Sequence, residues 1–294
     1  MTEGTDGATP IGIFAKTFPG RSPLDVLASA RDAGFQMVQY NMTCSGLSAL
    51  PSVVPAEAID ELRAASDATC VTLAALSATY NMVHPDETVR RAGQVALVAL
   101  AGTAHDVGIP LLTLCTGSRD AANQWAWHPE NRSPATWRTL LSSLDTAIES
   151  AEQYDGLLGI EPEPANVVES AARARALIDE LGSSRVRIVF DAANLLDTAT
   201  LRAGRNAIRS ALEHALSEVA EHVVLVHAKD RTLDGVVVAA GCGAMDYDAY
   251  FDALAQSGVR APIVTHGLDA DAAPGVAAFL RDRISFVKHQ PKRC

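Results

Sequence analysis

Short apolar runs alternate with helix-sized segments along the whole chain, and no change in composition marks a linker. Short runs rich in branched apolar residues favour buried strands, whereas longer segments with apolar residues every third or fourth position favour helices. The eight strand-like segments are Ile11–Ala15, Gln36–Tyr40, Val71–Ser77, Leu111–Thr116, Leu157–Glu163, Val186–Asp191, Val223–His227 and Pro262–His266. The pattern therefore predicts eight strands, each followed by helical structure.

Individual residues mark some of the helix ends. Ser22 and Ser133 are each followed by proline, which places a hydroxyl cap before a residue whose missing N–H costs nothing at the first helical position. Glycines that follow helical segments and precede strands suit the positive φ found where helices end. These glycines are Gly34, Gly108 and Gly182.

This alternation predicts an α/β protein, specifically a single-domain (β/α)8 TIM barrel. Parallel barrels of this kind typically need about 250 residues, and the chain has 294. A doubly wound open sheet is the alternative, but no GxGxxG motif follows the first strand. We expect the barrel to span residues 11–286, between an extended or disordered N-terminal tail (1–10) and a C-terminal tail (287–294).

Composition narrows the classes of partner. The formal net charge is −11 and no basic stripe is visible, which argues against nucleic-acid binding. No apolar stretch reaches the length of about 18 residues expected of a membrane span. The five cysteines form no CxxC pair, and the first residues lack the basic start and apolar run of a signal peptide. We therefore expect reduced, buried thiols and a cytoplasmic location.

Charged and imidazole side chains end four consecutive predicted strands: Glu161, Asp191, His227 and His266. Each one alone is explained by a helix cap or an internal hydrogen bond. Adjacent strand ends lie about 5 Å apart, however, and they converge on the mouth where barrel enzymes hold their sites. Four such groups together need a cation. Their mixed oxygen and nitrogen ligands suit Mn, Co, Fe or Zn better than Mg or Ca.

The residues around these positions resemble the xylose isomerase-like TIM barrel superfamily. The resemblance is carried by Ile-Glu-Pro at Glu161, Phe-Asp-Ala-Ala-Asn at Asp191, and His-Ala-Lys-Asp at His227. It covers most of the chain, from Ile11 to Phe286, and is closest to the ketose 3-epimerase and inosose dehydratase branches. The resemblance implies that Glu161 is a metal ligand and an acid/base, and that Asp191 and His227 are ligands.

The resemblance also implies substrate contacts. Asn194 falls where the epimerases place a substrate-binding histidine, and Arg231 follows the His-x-Lys-Asp element where they often keep a basic residue. We expect Asn194, Arg231 and Lys229 of that element to bind substrate.

The resemblance departs at His266, where the epimerases have a second catalytic glutamate. His266 is either a fourth ligand or the second acid/base, because its reference pKa of about 6.5 suits both roles. Glu163 is the other candidate, since the period of two of a strand sends it to the same side as Glu161. The alternative for Glu163 is a salt bridge to Arg119 or Lys229.

Two loops of the predicted mouth carry further candidates for binding substrate. The long segment after the fourth strand contains Arg119, Trp127 and His128, and a loop of this length in a compact domain is usually functional. Its tryptophans either cover a sugar ring or pin the loop to the barrel as a lid. Asn81 and His84, in the loop after the third strand, complete the set.

The resemblance implies a metal-dependent isomerase or epimerase that acts next to the carbonyl group of a sugar, keto-sugar or cyclitol. Elimination of water shares the first proton removal, so a dehydratase is the alternative. An endonuclease-like metal hydrolase would need a basic surface, and a non-catalytic sugar-binding barrel would need no metal. The expected partner is a small sugar or polyol, and the resemblance implies a dimer or tetramer without identifying an interface.

Overall fold

Eight parallel strands close into a barrel in this computed structural model, which describes residues 9–20 and 22–289. The barrel strands are β1 (Ile11–Phe14), β2 (Met37–Tyr40), β3 (Thr72–Ser77), β4 (Leu111–Leu114), β5 (Leu157–Ile160), β6 (Val186–Asp191), β7 (Val223–Ala228) and β10 (Ile263–Thr265). They follow one another around the barrel in this order, and β10 pairs with β1. The prediction of a (β/α)8 barrel is confirmed.

Helices connect successive strands. They are α1 (Pro23–Asp32), α2 (Ala56–Thr69), α3 (Glu87–Val107), α4 (Pro134–Gln153), α5 (Ala171–Leu181), α6 (Ala192–Leu195), α7 (Thr198–Ala203), α8 (Arg205–Val219), α9 (Tyr247–Ser257) and α10 (Ala273–His289). The last helix continues beyond residue 286, where we expected the barrel to end. Residues 1–8 and 290–294 of the expected tails lie outside the described residues.

Two connections differ from the simple repeat. Three helices, α6 to α8, stand between β6 and β7, because Asp191 and Asp197 each cap a new helix and Gly204 separates the last two with a φ of 83°. A two-stranded antiparallel hairpin, β8 (Asp230–Arg231) and β9 (Val237–Val238), follows β7.

The expected helix caps are present. Ser22 Oγ accepts a hydrogen bond of 3.2 Å from the backbone N–H of Asp25, and Ser133 Oγ accepts one of 3.1 Å from Thr136. Gly108 ends α3 with a φ of 84°. These residues fix where the helices begin and end, and therefore where the loops of the barrel mouth lie.

The barrel interior is built of two layers. An apolar layer, separate from the core between sheet and helices, consists of Ala75, Leu111, Val189, Leu225 and Val264. The residues two positions further along the same chain segments form a polar layer of Ser77, Thr113, Asp191, His227 and His266. Since side chains two residues apart on a strand share a face, the polar layer lies toward the C-terminal ends of the strands.

The structure tests the expectation of buried thiols and that of no membrane-spanning segment. Among the described cysteines, Cys44 and Cys115 are buried, Cys70 and Cys242 are exposed, and all four are free thiols. The expectation of buried thiols therefore holds for two of them, and Cys294 lies outside the described residues. No helix in the described part of the chain combines the length and the apolar character needed to cross a membrane.

The apolar layer generates a prediction at Gly159 of β5. A Cβ atom there would lie 2.7 Å from Val189 Cγ2 and 3.1 Å from Leu111 Cδ1. We expect Gly159→Ala to lower the free energy of unfolding by about 1–3 kcal/mol, because both neighbours must shift. Urea denaturation measures the change.

Gly156 provides the matched control, because a Cβ atom there would meet nothing within 4 Å. Gly156→Ala should change the free energy of unfolding by less than about 0.5 kcal/mol. Equal stability of the two variants would contradict tight packing of the apolar layer.

Candidate metal centre

Glu161 follows β5 directly. Its backbone N–H donates a hydrogen bond of 2.8 Å to the carbonyl of Leu114, which ties it to the end of β4. The expected strand continued to Glu163, but the observed one ends at Ile160. Pro162 and Pro164 explain the difference, because proline has no N–H to donate to a neighbouring strand.

Strand register brings the other three groups together. Asp191 of β6 is the direct pairing partner of His227 of β7. On the other side of β7, Thr265 pairs with Ala228, and the backbone N–H of His266 donates to the carbonyl of Ala228 at 3.4 Å. The side chains of residues 191, 227 and 266 therefore meet at one level of the barrel.

The four groups form a single cluster. One ligand atom from each of Glu161, Asp191, His227 and His266 lies within 4.8 Å of all the others. Nδ1 of His227 is 3.3 Å from Oε1 of Glu161 and 3.8 Å from Oδ2 of Asp191. Nε2 of His266 is 3.3 Å from the same oxygen of Asp191. Glu161, Asp191 and His227 are buried, and His266 is partly exposed.

The residues fit a divalent metal ion. Nδ1 of His227 is buried and has no hydrogen-bond partner, an arrangement that is costly for a polar atom unless something binds its lone pair. Two carboxylates and two imidazoles form a mixed oxygen and nitrogen set, which suits Mn, Co, Fe or Zn. This unpaired nitrogen faces the two carboxylates, where such an ion would be bound.

Lys229 supplies a positive charge beside the cluster. Its Nζ lies 2.8 Å from Oδ2 of Asp191 and 3.9 Å from Oε1 of Glu161. Burial acts to raise the pKa of Asp191, but Lys229 and the two histidines outweigh it and hold that pKa well below the ordinary value. Burial acts to lower the pKa of Lys229, but Asp191 and Glu161 outweigh it and raise that pKa. One ammonium group thus faces two carboxylates.

The same charges shift the pKa values of the other three residues of the cluster. Burial acts to raise the pKa of Glu161, but His227 and Lys229 hold it below the ordinary value. Burial acts to lower the pKa of His227, but Glu161 and Asp191 raise it. For His266 burial prevails and lowers the pKa, which favours the neutral imidazole that a metal requires.

Glu163 lies next to this cluster without belonging to it. A carboxylate oxygen of Glu163, one of Glu161 and the thiol of Cys115 lie within 4.8 Å of one another. Burial and the neighbouring Glu161 raise the pKa of Glu163 to about 7. Arg119, one of the two basic partners considered for Glu163, instead donates to the carbonyl of Val83 and pairs with Glu130 at 3.4 Å.

Asn194, expected to bind substrate, contacts Glu161 in this structure. Its Nδ2 donates a hydrogen bond of 3.0 Å to Oε1 of Glu161 and one of 3.2 Å to the carbonyl of Pro162. The amide therefore orients the carboxylate.

Three other predicted substrate contacts bond within the mouth loops. The amide of Asn81 accepts from the backbone N–H of Ser118 and donates to its carbonyl. Nδ1 of His84 accepts a hydrogen bond from the backbone N–H of Asp86, and Nδ1 of His128 accepts one from the backbone N–H of Glu130. These side chains shape the loops.

Arg231 has a polar atom without a partner, and Trp127 has an exposed ring. Nε of Arg231 is buried without a hydrogen-bond partner. The indole of Trp127 is 54% exposed, and Trp125 is also exposed. Each tryptophan thus leaves about half of its side chain exposed on the loop. The amides of Asn131 and Asn166 hold it, through hydrogen bonds to Ala165 and Gln124.

Gln39, a polar residue that was not predicted to belong to the site, lies behind His227. Oε1 of Gln39 lies 2.9 Å from Nε2 of His227, and Nε2 of Gln39 donates to the hydroxyls of Ser77 and Thr113, each at 3.0 Å. Gln39, Ser77 and Thr113 are polar residues within the otherwise apolar second, third and fourth predicted strands, and this misfit is the signal in the sequence that points to them.

Several solved structures with a similar fold are sugar epimerases or epimerase-like proteins. A 3-keto-D-glucoside 4-epimerase from E. coli has a TM-score of 0.73 at 18% identity, covering 93% of this chain and 99% of that one. An L-ribulose 3-epimerase gives 0.73 at 19% identity, covering 96% and 100%. A D-tagatose 3-epimerase-like protein gives 0.74 at 16% identity, covering 95% and 98%. At these identities the likeness shows the fold.

No curated protein matches the chain significantly. The model of the xylose isomerase-like TIM barrel family matches residues 27–283, which is most of the chain. The resemblance seen at the strand ends is confirmed, and the chain belongs to the xylose isomerase-like TIM barrel family.

Proposed function

We propose that this chain is a divalent-metal-dependent isomerase or epimerase that moves a proton next to the carbonyl group of a sugar, keto-sugar or cyclitol. The ligand cluster carries the proposal: atoms of Glu161, Asp191, His227 and His266 lie within 4.8 Å of one another. They lie at the end of the barrel where enzymes of this fold hold their sites. The sugar epimerases among the similar structures support the reaction class.

The four clustered residues would hold the metal. A divalent ion such as Mn, Co, Zn or Fe, when bound, supplies a Lewis acid that polarises a carbonyl oxygen and the adjacent hydroxyl. Lys229 keeps Asp191 ionised at 2.8 Å, and Asn194 orients Glu161 at 3.0 Å. Both contacts keep the carboxylates ready to bind a cation.

Glu161 and Glu163 are the proposed pair for proton transfer. The carboxylate of Glu161 accepts the proton from carbon, and the carboxylic acid of Glu163 returns one. Glu163 stands close to Glu161 but outside the four-residue cluster, whereas His266 contacts Asp191 within it. This arrangement favours His266 as a ligand and Glu163 as the second acid/base.

Loop residues would position the substrate. Arg231 has a buried Nε without a hydrogen-bond partner, and Trp127 has an exposed aromatic face, so both side chains would be available to contact a substrate. Asn81, His84 and Arg119 would shape the opening, because their polar atoms join two loops, and His128 would do so by capping the turn that follows it. A cyclic or open-chain polyol fits such a mixture of aromatic and polar groups.

Metal binding is the first test. Protein stripped with a chelator should bind Mn²⁺, Co²⁺ or Zn²⁺ in calorimetric titration. Asp191→Asn and His227→Gln should each weaken binding by more than about 100-fold, beyond the usual effect of removing a group that only supports a ligand.

Asp179→Asn is the matched control, because Asp179 is exposed on α5 and pairs with Arg175. This variant should bind metal like the wild type. A wild-type protein that binds none of the three ions would overturn the proposed function.

Proton transfer is the second test. Metal-loaded protein is incubated in D₂O with a panel of ketoses, 3-keto-sugars and inososes, and NMR follows deuterium at the carbon next to the carbonyl. Glu163→Gln should slow epimer formation by about 10²–10⁴-fold while metal affinity stays near the wild-type value, since it removes only an acid/base. His266→Gln should instead lower metal affinity.

Glu149→Gln, an exposed change on α4, is the control for both variants. Loss of turnover with unchanged metal affinity in His266→Gln would assign the second acid/base to His266 and contradict our assignment. A product lacking one molecule of water would identify a dehydratase, which shares the first proton removal.

A further inference from the structure

The ring of His227 links two different environments. Nε2 faces Oε1 of Gln39 at 2.9 Å, and Nδ1 faces Glu161 and Asp191 without a hydrogen-bond partner. A neutral imidazole carries one hydrogen, and the nitrogen that lacks it is the one able to bind a metal. The group opposite Nε2 therefore decides whether Nδ1 is available.

We propose that Gln39 is a positioning residue that holds the hydrogen of His227 on Nε2 and thereby presents the lone pair of Nδ1 to the metal. This inference rests on the proposed function, because it needs a metal at the cluster. Gln39 itself lies on β2, and among the described residues it hydrogen-bonds to no member of the cluster other than His227.

Hydrogen-bond counting supports the observed direction of the Gln39 amide. Its two N–H groups are matched by two hydroxyl acceptors, Ser77 Oγ and Thr113 Oγ1, each at 3.0 Å. Its oxygen lies 2.9 Å from Nε2 of His227 and can only accept, so a hydrogen bond at this distance requires the hydrogen on Nε2. A reversed amide would direct two N–H groups at a histidine nitrogen that can accept only one, leaving a buried donor unpaired.

The position of Gln39 in the barrel makes this arrangement rigid. β1 and β10 separate β2 from β7 around the barrel, so the side chain of Gln39 reaches across the interior to His227. Gln39 and His227 are both buried, and Ser77 and Thr113 belong to the polar layer. The backbone of His227 is held as well, since the hydroxyl of Tyr250 donates to its carbonyl at 3.0 Å.

Two substitutions at residue 39 separate positioning from packing. Gln39→Met keeps the length of the side chain but removes the acceptor, so metal affinity should fall by about 10–100-fold. Gln39→Glu keeps an acceptor for the N–H of His227 and should restore most of the affinity. A packing role would rank the variants in the opposite order, because methionine suits a buried site better than a carboxylate.

Calorimetric titration of chelator-stripped protein with Zn²⁺ gives the affinities, and thermal unfolding of the metal-free variants gives the packing effect. Gln36→Met, an exposed change of the same kind at the start of the same predicted strand, should bind Zn²⁺ like the wild type. Ser77→Ala combined with Thr113→Val should also weaken binding, because the amide loses both acceptors although neither hydroxyl hydrogen-bonds to His227.

Nitrogen-15 NMR of the Zn²⁺-loaded protein gives a direct readout of the His227 ring. We expect a protonated Nε2 and a Zn²⁺-bound Nδ1. Wild-type affinity in Gln39→Met, or Zn²⁺ bound to Nε2, would overturn this inference and leave the proposed function intact. A wild-type protein that binds no Zn²⁺, Mn²⁺ or Co²⁺ would overturn both.

Discussion

Two buried carboxylates, those of Glu161 and Asp191, need positive charge beside them, and the candidate site is organised by this need. Burial alone would raise the pKa of each and leave it uncharged. Lys229 reverses this for Asp191 from 2.8 Å, and His227 does so for Glu161. When His227 is neutral, the single ammonium of Lys229 faces two carboxylates, and the remaining negative charge favours a divalent cation at the unpaired Nδ1 of His227.

The barrel makes such a concentration of charge tolerable by separating it from the apolar interior. Side chains of the apolar layer fill the barrel one step before the polar layer begins, and each layer draws on the same strands two residues apart. Register then decides which polar groups meet, as the direct pairing of Asp191 with His227 shows. A shift of one residue in β6 or β7 would turn these side chains away from the interior.

Much of this architecture follows from local sequence. The eight strands and the serine caps of α1 and α4 depend on alternation, proline and glycine, which act over a few residues, and the four clustered residues stand at the ends of predicted strands. The early end of β5 at Ile160 was also predictable, since the sequence places Pro162 and Pro164 just after it. The contact of Gln39 with His227 was not, because 188 residues separate them and only barrel closure brings them together.

The loops around the mouth are joined mainly to one another. Asn81 links its loop to Ser118, Asn131 links Arg119 to Ala165, and the side-chain oxygen of Asn166 accepts from the N–H of Gly117 at 2.7 Å. These amides join the loops that follow β3, β4 and β5 into a collar, and the backbone N–H of Asn166 also donates to the carbonyl of Glu163 at 2.9 Å. Because each amide bridges two loops, a substitution in one of them also removes an anchor from its neighbour, so the three loops have to change together.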